Sequence, residues 1–133
     1  MIDIENEVFT IMSNAIRAKY KSAYVTGEIV NVPSAFPCTY IRELENTVHT
    51  ATSDSVETEN HGDLVYEAQT FTNTLQGKKS QAKAIMQILD TEFKNLGFTR
   101  TMLEPIDNSD PSIFRMVGRW KATVSKDKTI YRR

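Results

Sequence analysis

His49 and His61 bracket Asp54, Glu57 and Glu59, a set that supplies the imidazole and carboxylate groups of a metal site. Their spacing matches no established zinc or calcium pattern, and the polar stretch around them has no rigid element to hold ligands in place. The segment reads as a solvated loop, with no metal and no cofactor expected. Cys38, the single cysteine, heads a β-rich run, where cysteine is a small packed hydrophobe more often than a thiolate nucleophile. A Cys–His couple with His49 or His61 is the catalytic alternative. Gln76-Gly77-Lys78-Lys79-Ser80 has the glycine, lysine and serine of a phosphate-binding loop, but Lys79 occupies the hydroxyl position and no second glycine lies upstream. Lys78 and Lys79 are then solvated charges at a helix start, mismatched to its dipole and open to an acidic partner. No catalytic constellation results, and the chain is expected not to be an enzyme.

Arg115, Arg119, Lys121, Lys126, Lys128, Arg132 and Arg133 form the strongest basic cluster, with Trp120 and Tyr131 close by in sequence. Phosphates attract such cations and bases stack on such rings. Trp120, however, falls on the opposite side of its strand from the arginines, and a pI of about 6.1 is far from the basic footprint of a dedicated nucleic-acid binder. A basic sheet face used for protein contacts is the expected role.

These residues are positioned by elements that the hydrophobic pattern defines. From Lys78 to Leu96 the residues Ala82, Ile85, Met86, Leu89, Phe93 and Leu96 recur at steps of three and four and share one helical face, opposite Lys79, Lys83, Asp90, Lys94 and Asn95. Gly97 ends this helix, because the required left-handed backbone is free of steric cost for glycine. A strand follows from Phe98. Pro105, Asp107, Asn108, Ser109, Asp110 and Pro111 make the next turn. Residues 113 to 124 then alternate, with Phe114, Met116, Trp120, Ala122 and Val124 on a core face and Ile113, Arg115, Val117, Arg119 and Lys121 on a wetter, basic face.

Upstream, residues 4 to 20 predict an amphipathic helix with Asp3 as N-cap, acid in its first turn and base in its last. Tyr24 to Val32 reads as a short strand broken at Gly27, and residues 33 to 37 as a rigid extended connection. A strand from Cys38 to Glu45 places Cys38, Tyr40, Arg42 and Leu44 on one side and Thr39, Ile41, Glu43 and Glu45 on the other. Asn46 to Asp63 is almost free of large apolar groups and is expected to be a long mobile polar loop, lacking the apolar area to offset its ordering entropy. Leu64 to Asn73 returns as a strand. The expected fold is α+β, a single domain of order α-β-β-β-α-β-β, with a mostly antiparallel sheet and two helices packed on one face.

The totals agree with one domain: 133 residues, 40% hydrophobic and 25% charged, an ordinary composition for a globular protein. No run approaches a membrane span, and acid stands near the N-terminus where a signal peptide carries base, so the chain is expected to stay in the compartment where it is made. The net charge of −1 conceals an asymmetry: residues 1 to 70 hold four bases against eleven acids, a balance of −7, and residues 71 to 133 hold twelve bases against six acids, a balance of +6. Such a subunit can be dipolar, its acidic patch meeting a neighbour's basic patch in a heterologous contact that closes into a ring.

One succession of residues goes further: Phe36-Pro37-Cys38-Thr39-Tyr40, Glu45-Asn46, Leu64-Val65-Tyr66-Glu67 running to Thr72-Asn73, Gly77-Lys78-Lys79, Leu96-Gly97-Phe98-Thr99-Arg100, and Ile113-Phe114-Arg115-Met116 with Arg119-Trp120. In order and spacing it resembles the tail terminator, or tail completion, proteins of long-tailed bacteriophages and their prophages. The likeness runs from the first helix to the last strand. It implies a virion protein, made in the host bacterial cytoplasm, that forms a six-membered ring on the head-proximal end of the tail tube. There such a ring halts tube polymerisation and presents a surface to the head connector. The implied partners are further copies of the chain, the tube protein and the connector, with DNA only passing through the lumen and no membrane involved. Another head-tail joining adaptor, a head-closure or connector protein, is the alternative. The resemblance assigns no contact residues, so Asp54, Glu57, Glu59, Lys78, Lys79, Arg115 and Arg119 are taken as interface candidates from the charge layout.

Overall fold

Between Gly77 and Gly97 the three-and-four spacing of apolar residues closes into helix α2 (Lys78–Leu96), which buries Ala82, Ile85, Met86, Leu89 and Phe93. Both glycines adopt positive φ, 78° and 106°, where a side chain would be strained. At the C-terminal end the amide of Gly97 donates to the Lys94 carbonyl and that of Phe98 to the Phe93 carbonyl, a Schellman arrangement that satisfies two orphan acceptors. Phe98 is thereby turned into the core, edge-on to Phe93 at 5.2 Å and to Tyr66 at 5.6 Å.

The structure, a computed structural model, describes residues 1–48, 61–125 and 130–131. Helix α1 (Glu5–Lys19) precedes strands β1 (Tyr24–Thr26), β2 (Cys38–Val48) and β3 (His61–Thr72); α2 follows, then β4 (Thr99–Ile106), β5 (Phe114–Ser125) and the short β6 (Ile130–Tyr131). The sheet order is β1-β2-β3-β5-β4, antiparallel except for the β1–β2 pair. β4 and β3 therefore run parallel with β5 inserted between them, and α2 is the crossover that joins them. β6 pairs with Thr123 and Val124 of β5, on the edge that β4 leaves beyond Lys121. Both helices cover the same face, with Val8, Met12 and Ile16 of α1 and the apolar stripe of α2 meeting Ile41, Leu64, Tyr66, Met116, Trp120 and Val124. The expected α+β class, element order and one-sided helix layer are what the chain adopts, with β6 in addition.

Several boundaries differ from expectation for local reasons. The polar segment begins later and ends earlier than its composition predicts: Asn46 to Val48 and His61 to Asp63 are paired strand, with Asn46 opposite Leu64 and Thr47 opposite Asp63. Threonine and valine favour a pleated backbone, and a partner strand supplies the hydrogen bonds that composition does not report. The remainder of that loop, with His49, Asp54, Glu57 and Glu59, lies outside the described residues. β1 stops at Thr26, and residues 27 to 37 form bends rather than an extended run, with a cis Phe36–Pro37 bond. Ile4, not Asp3, occupies the N-cap of α1, while the Asp3 carboxylate accepts the Glu5 amide at 3.0 Å. In β2 a bulge between Glu43 and Glu45 interrupts the alternation, so Glu45 changes sides and lies opposite Val65.

Candidate functional site: the helix-free face of the sheet

Because α1 and α2 both lie on one side, the other side of β2, β3 and β5 is served by strand residues and the loops between them. Its end nearest Cys38 carries a small apolar cluster of Cys38, Tyr40 and Phe71, covered by Val30, Phe36 and Ile113. Cys38 is wholly buried there, and burial pushes its thiol up to about 11. It packs as a hydrophobe, as its place at the head of a strand predicts.

Moving along the strands, the rows become polar. Arg42, Glu67 and Arg119 stand opposite one another on β2, β3 and β5, and the next row holds Tyr40, Gln69 and Val117. Side chains directly opposite across a ladder are close enough to bond. Glu67 Oε2 accepts from Arg119 Nε at 3.0 Å, and Oε1 receives Arg42 at 3.3 Å, Gln69 Nε2 at 3.3 Å and the Tyr40 hydroxyl at 3.4 Å. The Glu67 side chain is only 3% exposed, against 30% for Arg42 and 42% for Arg119. A carboxylate so deeply placed is tolerable only with its lone pairs filled, and four donors fill them.

Gln69 relays the network onward. A carboxylate can only accept and a guanidinium can only donate, so the amide must turn its nitrogen to Glu67 and its oxygen to Arg115, whose Nε lies 2.7 Å away. The Arg115 guanidinium also lies over the Phe71 ring, 5.0 Å from its centroid. Two guanidiniums thus pair with one carboxylate, and a third joins the network through Gln69. Burial, and next the charge of Glu67, raise the Tyr40 hydroxyl above its ordinary value, which keeps it a neutral donor. Lys121 stands one row further along, opposite Val65, while Asp63 of β3, which accepts from the Thr123 hydroxyl at 2.8 Å, Glu45 of β2 and Glu104 of β4 are further carboxylates placed on this face by register. The β5 half of the face is accordingly basic.

Of the residues singled out from sequence, Arg115 and Arg119 belong to this network. Lys78 and Lys79 do not: they open α2 in the helix layer, and Lys78 Nζ donates to the Pro111 carbonyl at 3.1 Å, tying the helix start to the β4–β5 turn. Asp90 was expected on the solvated side of α2, yet it is partly buried and accepts from both Trp120 Nε1 and Arg100. Glu67, Arg42, Tyr40 and Gln69 were not anticipated as a unit. Their signal was present in the alternation of polar residues within two otherwise apolar strands, but pairing them requires the register. Among the described residues no group of three His, Cys, Asp or Glu side chains is placed to hold a metal ion, and no helix is long and apolar enough to cross a membrane.

On the helix side, an open groove of about 310 Å³ runs between α2 and β4, lined by Lys83, Met86, Gln87, Leu103, Pro105 and Met116. No protein-family model matches the chain, and no curated protein matches it either.

Proposed function

We propose that this chain is a structural subunit of a long-tailed bacteriophage or prophage particle, a tail terminator that assembles into a ring on the head-proximal end of the tail tube. The ring stops tube polymerisation and offers the docking surface for the head connector. The work is done by surfaces, through binding alone.

The observation that carries this reading is the α-β-β-β-α-β-β order with both helices on one side of a mostly antiparallel sheet, the architecture that the sequence resemblance implies. The helix-free face supports it further. Four donors and a salt-bridged Glu67 lock the side chains of that face in place, and a surface that is already ordered loses less conformational entropy when a partner arrives.

The test is electron microscopy of particles made without this protein. Tails of uncontrolled length are expected. Tails of normal length beside full heads would assign the chain to head-tail joining instead, and mature particles with correct tails would remove the virion reading altogether. Negative-stain images of the concentrated protein should show a hollow six-membered ring.

A further inference from the structure

The charge asymmetry of the sequence becomes a spatial one in the fold. At the outer edge of β2, beyond the short β1, the N-terminal segment lies along the strand: Asn46 Nδ2 donates to the Ile2 carbonyl at 2.7 Å, and the Glu43 amide donates to the Glu5 carboxylate at 2.9 Å. This arrangement gathers Asp3, Glu5 and Glu43 in the helix layer, with exposed Glu45 turned to the other side of the same edge by the bulge. The Glu5 amide, the Glu43 amide, Asn46 and the Tyr66 hydroxyl, all neutral donors, give hydrogen bonds to these carboxylates. Across the sheet, on the opposite face, Arg115, Arg119 and Lys121 form a stripe along β5. Arg115 gives its Nε to the neutral Gln69 amide, and Glu67 is shared between Arg119 and Arg42. The β5 stripe and the Asp3–Glu5–Glu43 group thus lie on opposite faces of one sheet, with Asp63, Glu45 and Glu104 on the face of the stripe.

We propose that the Arg115–Arg119–Lys121 stripe of one copy receives the Asp3–Glu5–Glu43 edge of a second copy. The occupant is a second copy because the chain carries both complements, and because a contact between two different surfaces repeats from copy to copy, as ring closure requires. The inference rests on the ring-forming reading for closure, while the contact itself stands on the placement of charge. Burial, and then the charges of Glu5 and Asp3, hold the Glu43 carboxyl above its usual range, so an arriving cation relieves an existing repulsion. Attraction of this kind orients encounter and selects partners, and it weakens as salt shortens the Debye length.

Two variants test it together. Arg115→Glu/Lys121→Glu makes both surfaces acidic, and Asp3→Lys/Glu5→Lys makes both basic; Arg119 is left intact because it is paired to buried Glu67. In sedimentation velocity at low salt each variant alone should self-associate at least roughly tenfold more weakly than the wild type, since like charges face each other. Their equimolar mixture should regain association in alternating one-to-one order, because each unlike pair is restored at every contact. Circular dichroism confirms that both are folded, and Lys121→Glu alone should give a smaller loss in the same direction. Variants that associate like the wild type, a mixture that recovers nothing, or a wild type that stays monomeric at its highest soluble concentration would overturn the proposal. So would salt-dependent binding of duplex DNA that Lys121→Glu abolishes, which would assign the stripe to nucleic acid. Tail lengths measured with the same variants separate the two ideas: uncontrolled tails with wild-type association would leave the terminator reading standing and remove this contact.

Discussion

The indole Nε1 of Trp120 donates to Oδ1 of Asp90 at 3.0 Å, pinning the centre of β5 to the middle of α2. The same ring stacks on Phe93, with centroids 4.5 Å apart and planes 14° from parallel. Asp90→Ala leaves a buried N–H without its acceptor and is expected to cost about 1–3 kcal/mol. Asp90→Asn keeps an acceptor and should cost much less, losing mainly the exposed pair with Arg100. Urea unfolding followed by the fluorescence of the single tryptophan measures both.

Gly118 makes room for that ring. A Cβ at this position would lie 2.6 Å from Trp120 Cη2 and 2.8 Å from Met86 Cε. Met86 can yield, but the indole is held by Asp90 and Phe93. Gly118→Ala is therefore expected to destabilise by about 1–3 kcal/mol through overpacking. An unchanged denaturation midpoint would show that the ring is free to move.

Glu67 bears on the helix-free face alone. Removing it as Glu67→Ala leaves the Tyr40 hydroxyl, the Gln69 amide nitrogen and two guanidiniums without this acceptor, but both arginines reach water, so the expected loss is about 2 kcal/mol, below that of a fully buried pair. A double-mutant cycle with Arg119→Ala should return a coupling of roughly 1 kcal/mol. Zero coupling would mean that the 3.0 Å contact contributes no net stability.

The pH dependence should carry the mark of Glu43. Its carboxyl is held above the ordinary 4.5 by burial and by Glu5 and Asp3, so the folded chain binds this proton more tightly than the unfolded one. That contribution is complete below the ordinary value and is lost as pH rises through the raised one. Glu43→Gln cannot ionise. Its melting temperature should gain on that of the wild type as pH climbs above 4.5, and a difference independent of pH would refute the assignment.

Cys38 should be unreactive in the native protein. With its thiol near 11 and no exposed surface, about one molecule in a thousand holds the thiolate at pH 8, and that one is screened from reagent. Iodoacetamide should label it only after denaturation. Rapid native labelling would reopen nucleophilic chemistry at this position.

Much of the fold was legible without coordinates, and for identifiable reasons. The 3.6-residue stripe of α2, the glycine stop at Gly97 and the two-residue alternation through Met116, Trp120 and Ala122 are local signals, each set by backbone geometry. They carried the class, the order of elements and the side on which Trp120 is buried. Strand ends were less legible. Val48 is held in β-structure by Gly62 of β3 and His61 by Ser125 of β5, a cooperative effect that composition registers as a polar loop.

The amino-acid sequence by itself determined an α+β chain with a basic β5 face and an acidic first half, because periodicity and charge are properties of neighbouring residues. Only tertiary structure decided that Glu67 would sit between Arg42 and Arg119, partners 25 and 52 residues away, and that Asp90 would serve an indole rather than solvent. Those pairings depend on which strands lie side by side and in what register. That is settled by the packing of two helical stripes on a single sheet face, and no local pattern contains it.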